Sequence, residues 1–336
     1  MSTQQRVPLS ILDLAIISEG GTSATALAET TLMAQKAEAL GYTRFWVAEH
    51  HNMPSVSSTN PAVLIAHLAA STEKIRIGSG GVMLPNHPSL IIAEQFAMLE
   101  ALHPGRIDLG IGRAPGTDPA TAAALRRAPM SLTHDEFPNY LLDLMGLLGD
   151  RRGEEGMWKR FSATPVAETS PSIVLLGSSG YSAQLAGYLS LPFAYAHHFD
   201  TGGTLQAISL YHENFKPSPI LSDPYAIVTA NVLTAETDEE AEWLAASGQL
   251  MTYAIRTGRF IPLLSPEEAN EHPDLPLART MRSNRIVGTP ETVVEKLDAL
   301  VEQTAANELM IFTAAHGVQR RVNSLKLLAQ AWHGDK

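Results

Sequence analysis

The segment from Lys74 to Gly112 reads KIRIGSGGVMLPNHPSLIIAEQFAMLEALHPGRIDLGIG, and it predicts a strand, a helix and a second strand in succession. Lys74 to Leu84 and Arg106 to Gly112 are short runs rich in apolar and β-branched residues, as in buried strands. Ser89 to Leu102 has the apolar spacing of a helix, and the Pro-Gly pair shortly after it ends that helix. The segment is therefore a β–α–β unit, which favours a parallel sheet.

The same alternation of short apolar runs and longer amphipathic runs continues in both directions along the chain. About eight strand-like runs are present, with helical patterns between them, and the runs are apolar on both faces. This pattern predicts a (β/α)8 barrel of the TIM type as a single domain over residues 1–336, although an open, doubly wound sheet would produce the same alternation. The runs are Leu9–Ile17, Arg44–Glu49, Lys74–Leu84, Arg106–Gly112, Ser172–Leu176, Phe193–His197, Tyr225–Leu233 and Glu308–Thr313.

Two connections between these runs are long. The first insertion, Ala114 to Pro171, follows the fourth strand, and the second, Gly258 to Asn284, follows the seventh and is rich in proline. In a barrel, insertions at these places usually form lids or rims around the mouth of the active site. The sequence leaves open whether they do so here or are only solvated surface loops.

The composition limits the classes of partner. The chain has 35 acidic and 24 basic residues and a formal net charge of -11, without a run of Lys or Arg, which argues against nucleic acid or an anionic membrane as its main partner. It has no cysteine, which excludes thiolate metal sites, iron–sulfur clusters and a cysteine nucleophile. Because the start lacks a signal-peptide pattern and no apolar stretch reaches membrane-spanning length, we expect a cytoplasmic protein that acts on small molecules.

A short turn after the fifth strand is the best candidate for a phosphate site. In Leu175 to Tyr181, LLGSSGY, a buried strand leads through small residues directly into a helix. Small residues allow a ligand to approach the backbone, and the unpaired N–H groups at a helix start attract an anion. Arg113, just after the fourth strand, could hold phosphate oxygens through its guanidinium. An ordinary capped loop and a surface arginine are the alternatives.

Histidines near two strand ends could contribute acid/base chemistry. Adjacent residues on a strand point in opposite directions, so Glu49 and His51 share one direction and His50 takes the other. His50 with His51, and likewise His197 with His198, are then poor chelating pairs, which argues against a zinc hydrolase. A single neutral imidazole at the mouth suits proton transfer near neutral pH, although a structural histidine would have the same sequence pattern.

Three glycines interrupt the third strand, at Gly78, Gly80 and Gly81. Glycine weakens the interior of a strand, so this concentration requires a reason. Either a β-bulge or the close approach of a flat ligand to the backbone would supply it.

In their order and spacing, these segments resemble the bacterial luciferase-like flavin monooxygenases. The resemblance extends roughly from Leu9 to Leu328, and it rests on the series of motifs rather than on any one of them. The motifs are Glu49-His50-His51, Gly80-Gly81 followed by Leu84-Pro85-Asn86-His87-Pro88, Ala93-Glu94-Gln95, His103 to Gly110, Gly112 to Gly116, Leu176 to Tyr181 and Val287-Gly288-Thr289-Pro290-Glu291.

The resemblance implies a (β/α)8 barrel that binds reduced FMN, usually delivered by a transient flavin reductase. The flavin then reacts with O2 to form a C4a-peroxide, which acts on a small organic substrate whose identity stays open. Some members of the family use the deazaflavin F420 for hydride transfer, and some barrels hold flavin without turnover, so both alternatives remain. The resemblance also implies a homodimer, paired through the helices Pro61 to Ala70 and Ser89 to Leu102.

Position by position, the resemblance also implies roles for individual residues. His50 matches a histidine assigned to acid/base work beside the flavin. Gly80 and Gly81 match a step under the flavin ring that is often a cis peptide. Gly112 stands at the position that a reactive cysteine occupies in luciferase proper, so the effects of that cysteine cannot be assigned to this chain. The positions that match the surroundings of the flavin phosphate are Arg113, Ser178, Gly180 and Tyr181.

Overall fold

Parallel strands form the centre of the fold in the computed structural model, which describes residues 6–126, 136–152, 155–199 and 202–334. The strands are β1 (Leu9–Asp13), β2 (Arg44–Val47), β3 (Arg76–Met83), β4 (Ile107–Gly112), β5 (Ser172–Gly177), β6 (Phe193–Tyr195), β7 (Ala226–Thr234), β8 (Ile286–Gly288) and β9 (Glu308–Phe312). Eight of them are neighbours in the order β6-β5-β4-β3-β2-β1-β9-β7, and β6 also pairs with β7. This pairing closes the barrel, so the predicted (β/α)8 fold is confirmed and the open sheet is wrong.

Strand β8 is an addition that the sequence pattern does not predict. It has three residues and pairs with the last three residues of β7, outside the barrel. A run this short cannot show a periodicity, which is why the pattern gives no sign of it. The predicted run Leu9–Ile17 is also shorter as a strand, since β1 ends at Asp13 and Ala15 has a left-handed backbone with φ of 50°.

Helices alternate with the strands and begin at ordinary capping signals. Thr22, Asn60 and Thr289 each stand one residue before a helix and accept a backbone hydrogen bond from its first turn. No helix of the described residues is both long and apolar enough to cross a bilayer. The helices are α1 (Ser23–Ala39), α2 (Pro61–Ala70), α3 (Ser89–Leu102), α4 (Pro119–Arg126), α5 (Phe137–Leu147), α6 (Gly180–Tyr188), α7 (Thr204–Asn214), α8 (Asp238–Arg256), α9 (Pro266–Glu271), α10 (Leu275–Thr280), α11 (Pro290–Thr304) and α12 (Val318–His333).

The apolar residues of the strands divide between the two sides of the barrel wall. Ile11 and Phe45 pack against the surrounding helices, whereas their neighbours Leu12 and Trp46 pack with residues of other strands inside the barrel. Because both faces of a barrel strand are covered, both sets are apolar. Each such buried side chain contributes about 1.5–3 kcal/mol to folding.

Buried charges occupy the interior near the amino ends of the strands. Arg44 donates at 2.9 Å to both Asp108 and Glu308, and Arg76 also donates to Asp108. Both carboxylates are fully buried, and Trp46 Nε1 donates to Asp108 at 2.9 Å. Burial alone would lower the pKa of Arg44, but the two carboxylates outweigh burial and raise it. The ion pairs therefore keep Arg44 charged and connect β2, β3, β4 and β9.

The two long connections contain helices rather than simple loops. The first includes α4 and α5, and α5 packs into the main core as the helix between β4 and β5. Residues 127–135 and 153–154 of this connection lie outside the described residues. The second includes α9 and α10, which pack against α8 through Ala269, Leu275 and Ala278. It therefore supports α8, which lies over the mouth of the barrel.

Candidate functional site

A cavity of about 610 Å³ opens at the carboxyl end of the barrel strands. Its walls come from the strand ends, from the segments that follow β2, β4, β5 and β6, and from α8. Most of the lining is apolar, with Leu12, Trp46, Met83 and Phe312 among it. The volume falls within the range of about 300–1,000 Å³ that small-molecule sites occupy. The carboxyl end is also where barrel enzymes place their active sites.

Four of the residues predicted from the sequence line this cavity, namely His50, Gly80, Arg113 and Ser178. Tyr181 lies beside it, because the Arg113 guanidinium is 4.3 Å from the centre of the Tyr181 ring. The structure thus brings together residues from β2, β3, β4, β5 and α6. Their assignment to a flavin stays a prediction.

One wall of the cavity can attract an anion. Ser179 precedes α6 with an extended backbone, and its side chain makes no capping hydrogen bond. Gly180 is the first residue of α6 and does not itself line the cavity. A helix start carries about half a positive charge, and Arg113, which follows the neighbouring strand β4, adds a whole one. Both charges face the same cavity.

The glycines of β3 form an irregular step beside the cavity. The Gly80–Gly81 peptide is cis, and the register of β3 against β4 shifts between Gly80 and Val82. This shift corresponds to the bulge, one of the two explanations that the glycine pattern left open. A Cβ at Gly80 would lie 2.8 Å from Leu12 Cδ1, and one at Gly81 would lie 2.8 Å from the carbonyl oxygen of Gly110. Neither position has room for a side chain, and of the two only Gly80 lines the cavity.

His50 lines the cavity just after β2, where its backbone N–H donates to the carbonyl of Ser58 at 3.0 Å. Burial lowers the pKa of His50, although Glu49 acts in the opposite direction, so the ring is neutral near pH 7. Its Nδ1 is enclosed without a hydrogen-bond partner. A proton on Nδ1 would be buried without an acceptor, which is costly. A lone pair there would be equally unpaired, so Nδ1 lacks a partner in either tautomer, and the neutral ring offers one N–H and one basic nitrogen for acid/base chemistry.

Glu49 and His51 contact each other, whereas His50 lines the cavity, although β2 ends at Val47, two residues before the predicted strand end. His51 Nε2 lies 2.8 Å from Glu49 Oε1, and His87 Nε2 lies 2.8 Å from the same oxygen. The backbone N–H of Met83 donates to Glu49 Oε2 at 2.9 Å. Burial alone would raise the pKa of Glu49, but the hydrogen bonds from His87 and His51 outweigh burial and lower it. The carboxylate thus joins the segment after β2 to the turn after β3.

These three side chains also place possible metal ligands within 4.8 Å of one another. The sequence pattern rejects His50 with His51 as a chelating pair but gives no sign that His87 approaches Glu49. Both imidazoles already bond to one carboxylate oxygen, so the cluster is complete as a hydrogen-bond network. The expectation that the protein uses no metal stays a prediction.

A second imidazole, that of His198, lines the same cavity. Its ring packs against Phe199 and Phe312, with ring centres 4.5 and 5.6 Å away, whereas His197 turns toward α7. Burial, together with smaller contributions from His197 and His50, lowers the pKa of His198 to about 3. The ring is therefore neutral. The strand pattern does not predict this divergence, because β6 ends at Tyr195 and His197–Phe199 form a 3-10 turn.

Charge is distributed unevenly around the cavity. Among the described residues that line it there is no Asp or Glu, although the chain has a net charge of -11. The lining does include two arginines, Arg113 after β4 and Arg256 at the end of α8. Arg256 donates to the carbonyl of Arg282 at 3.1 Å, and neither lining arginine has a carboxylate partner within the described part of the chain. The sequence pattern does not point to Arg256, because an arginine at the end of a helix is common.

Solved structures with distant sequences share this barrel. The oxygenating constituent of 3,6-diketocamphane monooxygenase from Pseudomonas putida, in complex with FMN, has a TM-score of 0.72 at 20% identity, covering 98% of this chain and 99% of that one. An F420-dependent secondary alcohol dehydrogenase, in complex with an F420-acetone adduct, has a TM-score of 0.71 at 15% identity, with the same coverage. At these identities the likeness shows the fold alone.

More similar proteins cover nearly the whole chain. The apo structure of MsnO8 has a TM-score of 0.89 at 36% identity, over 97% of this chain and 98% of that one. The luciferase-like monooxygenase of Escherichia coli K12 is 40% identical over 97% of each chain, and the N-acetyl-S-alkylcysteine monooxygenase of Bacillus subtilis 168 is 36% identical over 97% of this chain and 98% of its own length. The family model for luciferase-like monooxygenases matches residues 7–308. The chain therefore belongs to the luciferase-like monooxygenase family.

Proposed function

We propose that this chain is a cytoplasmic flavin-dependent monooxygenase that uses reduced FMN and O2 to oxidise a small organic substrate. The observation that supports this most strongly is the division of the cavity. An anion-attracting wall, formed by Arg113 and the start of α6, adjoins an apolar interior that contains the neutral imidazole of His50. FMN has the same division between a charged phosphate and a flat, largely apolar ring system. Membership of the family supports the same class of reaction.

The residues present suit FMN in both charge and shape. Arg113 and the N–H groups at the start of α6, beside Ser178, would hold the phosphate, because a guanidinium and a helix start both attract oxyanions. The step at Gly80 and Gly81, which has no room for side chains, would border the ring system. Bound in its reduced form, FMN would supply the electrons that activate O2, which no amino-acid side chain of this cavity can do.

The protein itself would supply orientation, a dry site and one proton donor. His50, whose neutral ring lines the cavity, would donate a proton, or a hydrogen bond, to an oxygen atom of the reactants. Met251 and Ile255 on α8 place apolar side chains on the cavity wall at the mouth. Their exclusion of water would strengthen the polar interactions inside and prevent unproductive reaction with water.

The proposals for the substrate and the partners rest on a relative's name and on the exposed surface. One relative, 36% identical, is named for N-acetyl-S-alkylcysteines, so thioethers of this kind are the first substrates to test. A transient flavin reductase would deliver the reduced FMN. A homodimer is proposed because α2 and α3 expose apolar side chains that a partner could cover, namely Val63, Ile91, Met98 and Leu102.

The test combines cofactor binding with O2 consumption. The protein is titrated with FMN and with F420, each oxidised and reduced, by equilibrium dialysis without O2. O2 uptake is then followed with FMN, a flavin reductase, NADH and catalase, with and without N-acetyl-S-alkylcysteines, and products are identified by mass spectrometry. We expect preferential binding of reduced FMN and substrate-dependent formation of an oxygenated product.

Two other results would replace this proposal. Preferential binding of F420, with O2-independent hydride transfer, would make the chain an F420-dependent oxidoreductase. Tight flavin binding without product from any substrate in the panel would favour a non-catalytic flavin-binding protein. Catalase returns only half of the O2 that free reduced flavin converts to peroxide, so uptake is compared with a control without substrate, and the oxygenated product distinguishes turnover from uncoupled O2 uptake.

A further inference from the structure

Two guanidinium groups share the candidate cavity, and no carboxylate among the described lining residues balances them. Arg113 lies on the wall beside α6, whereas Arg256 belongs to α8 at the mouth. Arg113 is half-buried and Arg256 is exposed at the mouth, and two like charges around one cavity each favour a bound anion. Arg113 and the start of α6 already provide a site for one phosphate. The second cation therefore requires a separate explanation.

Arg256 is positioned without being neutralised. Its Nη1 donates to the carbonyl oxygen of Arg282 at 3.1 Å, which fixes one edge of the guanidinium and leaves its charge in place. Met251, Thr252 and Ile255, which precede it on α8, also line the cavity. Arg256 lies four residues after Thr252, and Ile255 lies four residues after Met251, so these side chains are on the same side of the helix. Arg256 thus ends a mainly apolar strip that a bound molecule would contact.

Two anions could reach Arg256, namely the flavin phosphate and an acidic group of the substrate. The features suited to phosphate lie together at Arg113, Ser178 and the uncapped start of α6. Arg256 lies on a different element and has apolar neighbours. This separation favours an anion that belongs to a second bound molecule.

We propose that Arg256 binds a carboxylate or similar oxyanion of the substrate, so that the substrate is a small organic acid whose apolar part enters the cavity. The proposal rests on the proposed function, because it assigns the Arg113 side to the flavin phosphate. Arginine suits this role because its planar guanidinium binds a carboxylate through two parallel hydrogen bonds and stays charged at all physiological pH values. Arg256 is then a specificity-determining residue.

The test uses pairs of compounds that differ in charge but hardly in shape. N-acetyl-S-benzylcysteine and its carboxamide form one pair, and phenylacetate and phenylacetamide form another. Each compound is titrated calorimetrically into wild type, Arg256→Gln and Arg259→Gln, with and without oxidised FMN. Arg259 is the matched control because it is exposed, pairs with Asp274 at 2.8 Å and does not line the cavity.

We expect wild type to bind at least one acid about tenfold more tightly than its amide, which corresponds to about 1.4 kcal/mol. Arg256→Gln should lose this preference, Arg259→Gln should keep it, and FMN affinity should change little in either variant. Helix content by circular dichroism should be the same in all three proteins.

Several results would overturn the assignment. These are equal binding of acid and amide in both pairs, absence of binding in both pairs, and an acid preference that survives in Arg256→Gln. A loss of FMN affinity in Arg256→Gln as large as in Arg113→Ala would assign Arg256 to the phosphate instead. Failure of the proposed function has a different signature, namely no binding of FMN to wild type, and the acid–amide comparison can still be measured on the free chain.

Discussion

The guanidinium of Arg113 lies 4.3 Å from the centre of the Tyr181 ring, so the segment after β4 and the first turn of α6 meet at one wall of the cavity. Stacking on an aromatic ring holds a guanidinium in position without removing its charge. The N–H groups at its edge can therefore serve an anion at the start of α6. Both residues belong to the set that the sequence resemblance places around a phosphate, and their contact makes the assignment testable.

Replacement of Arg113 should separate phosphate binding from binding of the flavin ring. Arg113→Ala should weaken FMN binding by about 1.5–3 kcal/mol, the range of a hydrogen bond to a charged group. Riboflavin, which lacks the phosphate, should be affected far less. Calorimetric titration of both ligands measures the difference, and Tyr181→Phe, which keeps the stacked ring, is the control. Equal losses for FMN and riboflavin would show that Arg113 does not contact the phosphate.

His50 should affect turnover rather than flavin affinity. His50→Asn removes the titratable imidazole from the cavity wall, so the turnover number should fall roughly 10²-fold or more, the scale of a lost general acid or base. FMN affinity should change little. Steady-state assays at saturating reduced FMN and substrate, together with an FMN titration, test both statements. A variant with the turnover number of wild type would remove His50 from the mechanism.

The fold was predictable because each part of it is encoded locally. Residues such as Phe45 and Trp46 are both apolar because one faces the helices and the other faces the barrel interior. Strand ends of a closed parallel barrel meet at one rim, so residues that follow different strands, such as His50 and Arg113, could be placed in one site from sequence order alone. The three-residue β8 gave no comparable signal.

The residues of the site that the sequence did not predict are brought there by long-range packing. His87 meets Glu49 across 38 residues because of the way the turn after β3 folds over the end of β2. Arg256 reaches the cavity because α9 and α10 hold α8 over the mouth. No periodicity encodes such contacts. His198 likewise enters the cavity through a local 3-10 turn, His197–Phe199, that follows β6 and has no strand periodicity.

The buried ion pairs of the barrel should be important for stability. Arg44→Met leaves the fully buried Asp108 and Glu308 without their shared cation, so the free energy of unfolding should fall by about 3–5 kcal/mol. Urea unfolding followed by tryptophan fluorescence measures the change. Lys159→Met breaks an exposed pair with Glu155 and should cost at most about 1 kcal/mol. Similar losses in the two variants would contradict this account.

The exposed faces of α2 and α3 should form a dimer interface of about 2,000 Å² in total. Light scattering at micromolar concentration should give twice the mass of one chain. Met98 and Leu102 are 53% and 62% exposed, and changing both to Glu should produce monomers. Val166→Glu is the control, since Val166 is 83% exposed and lies on neither helix. A wild-type monomer, or a dimer that survives the double change, would rule out this interface.

His198 should make stability depend on pH. Burial lowers its pKa from the ordinary value of 6.5 to about 3 in the folded chain. Between these values the unfolded chain binds a proton that the folded chain does not, so the free energy of unfolding falls as pH decreases from 6.5 toward 3, and this effect is absent above 6.5. His198→Phe removes the effect, so the stability of wild type relative to the variant should decrease as the pH is lowered. Urea unfolding of both proteins at several pH values between 7.5 and 4.5 measures this difference, since other groups titrate alike in the two. Curves that stay parallel over this range would mean that His198 is not held neutral by burial.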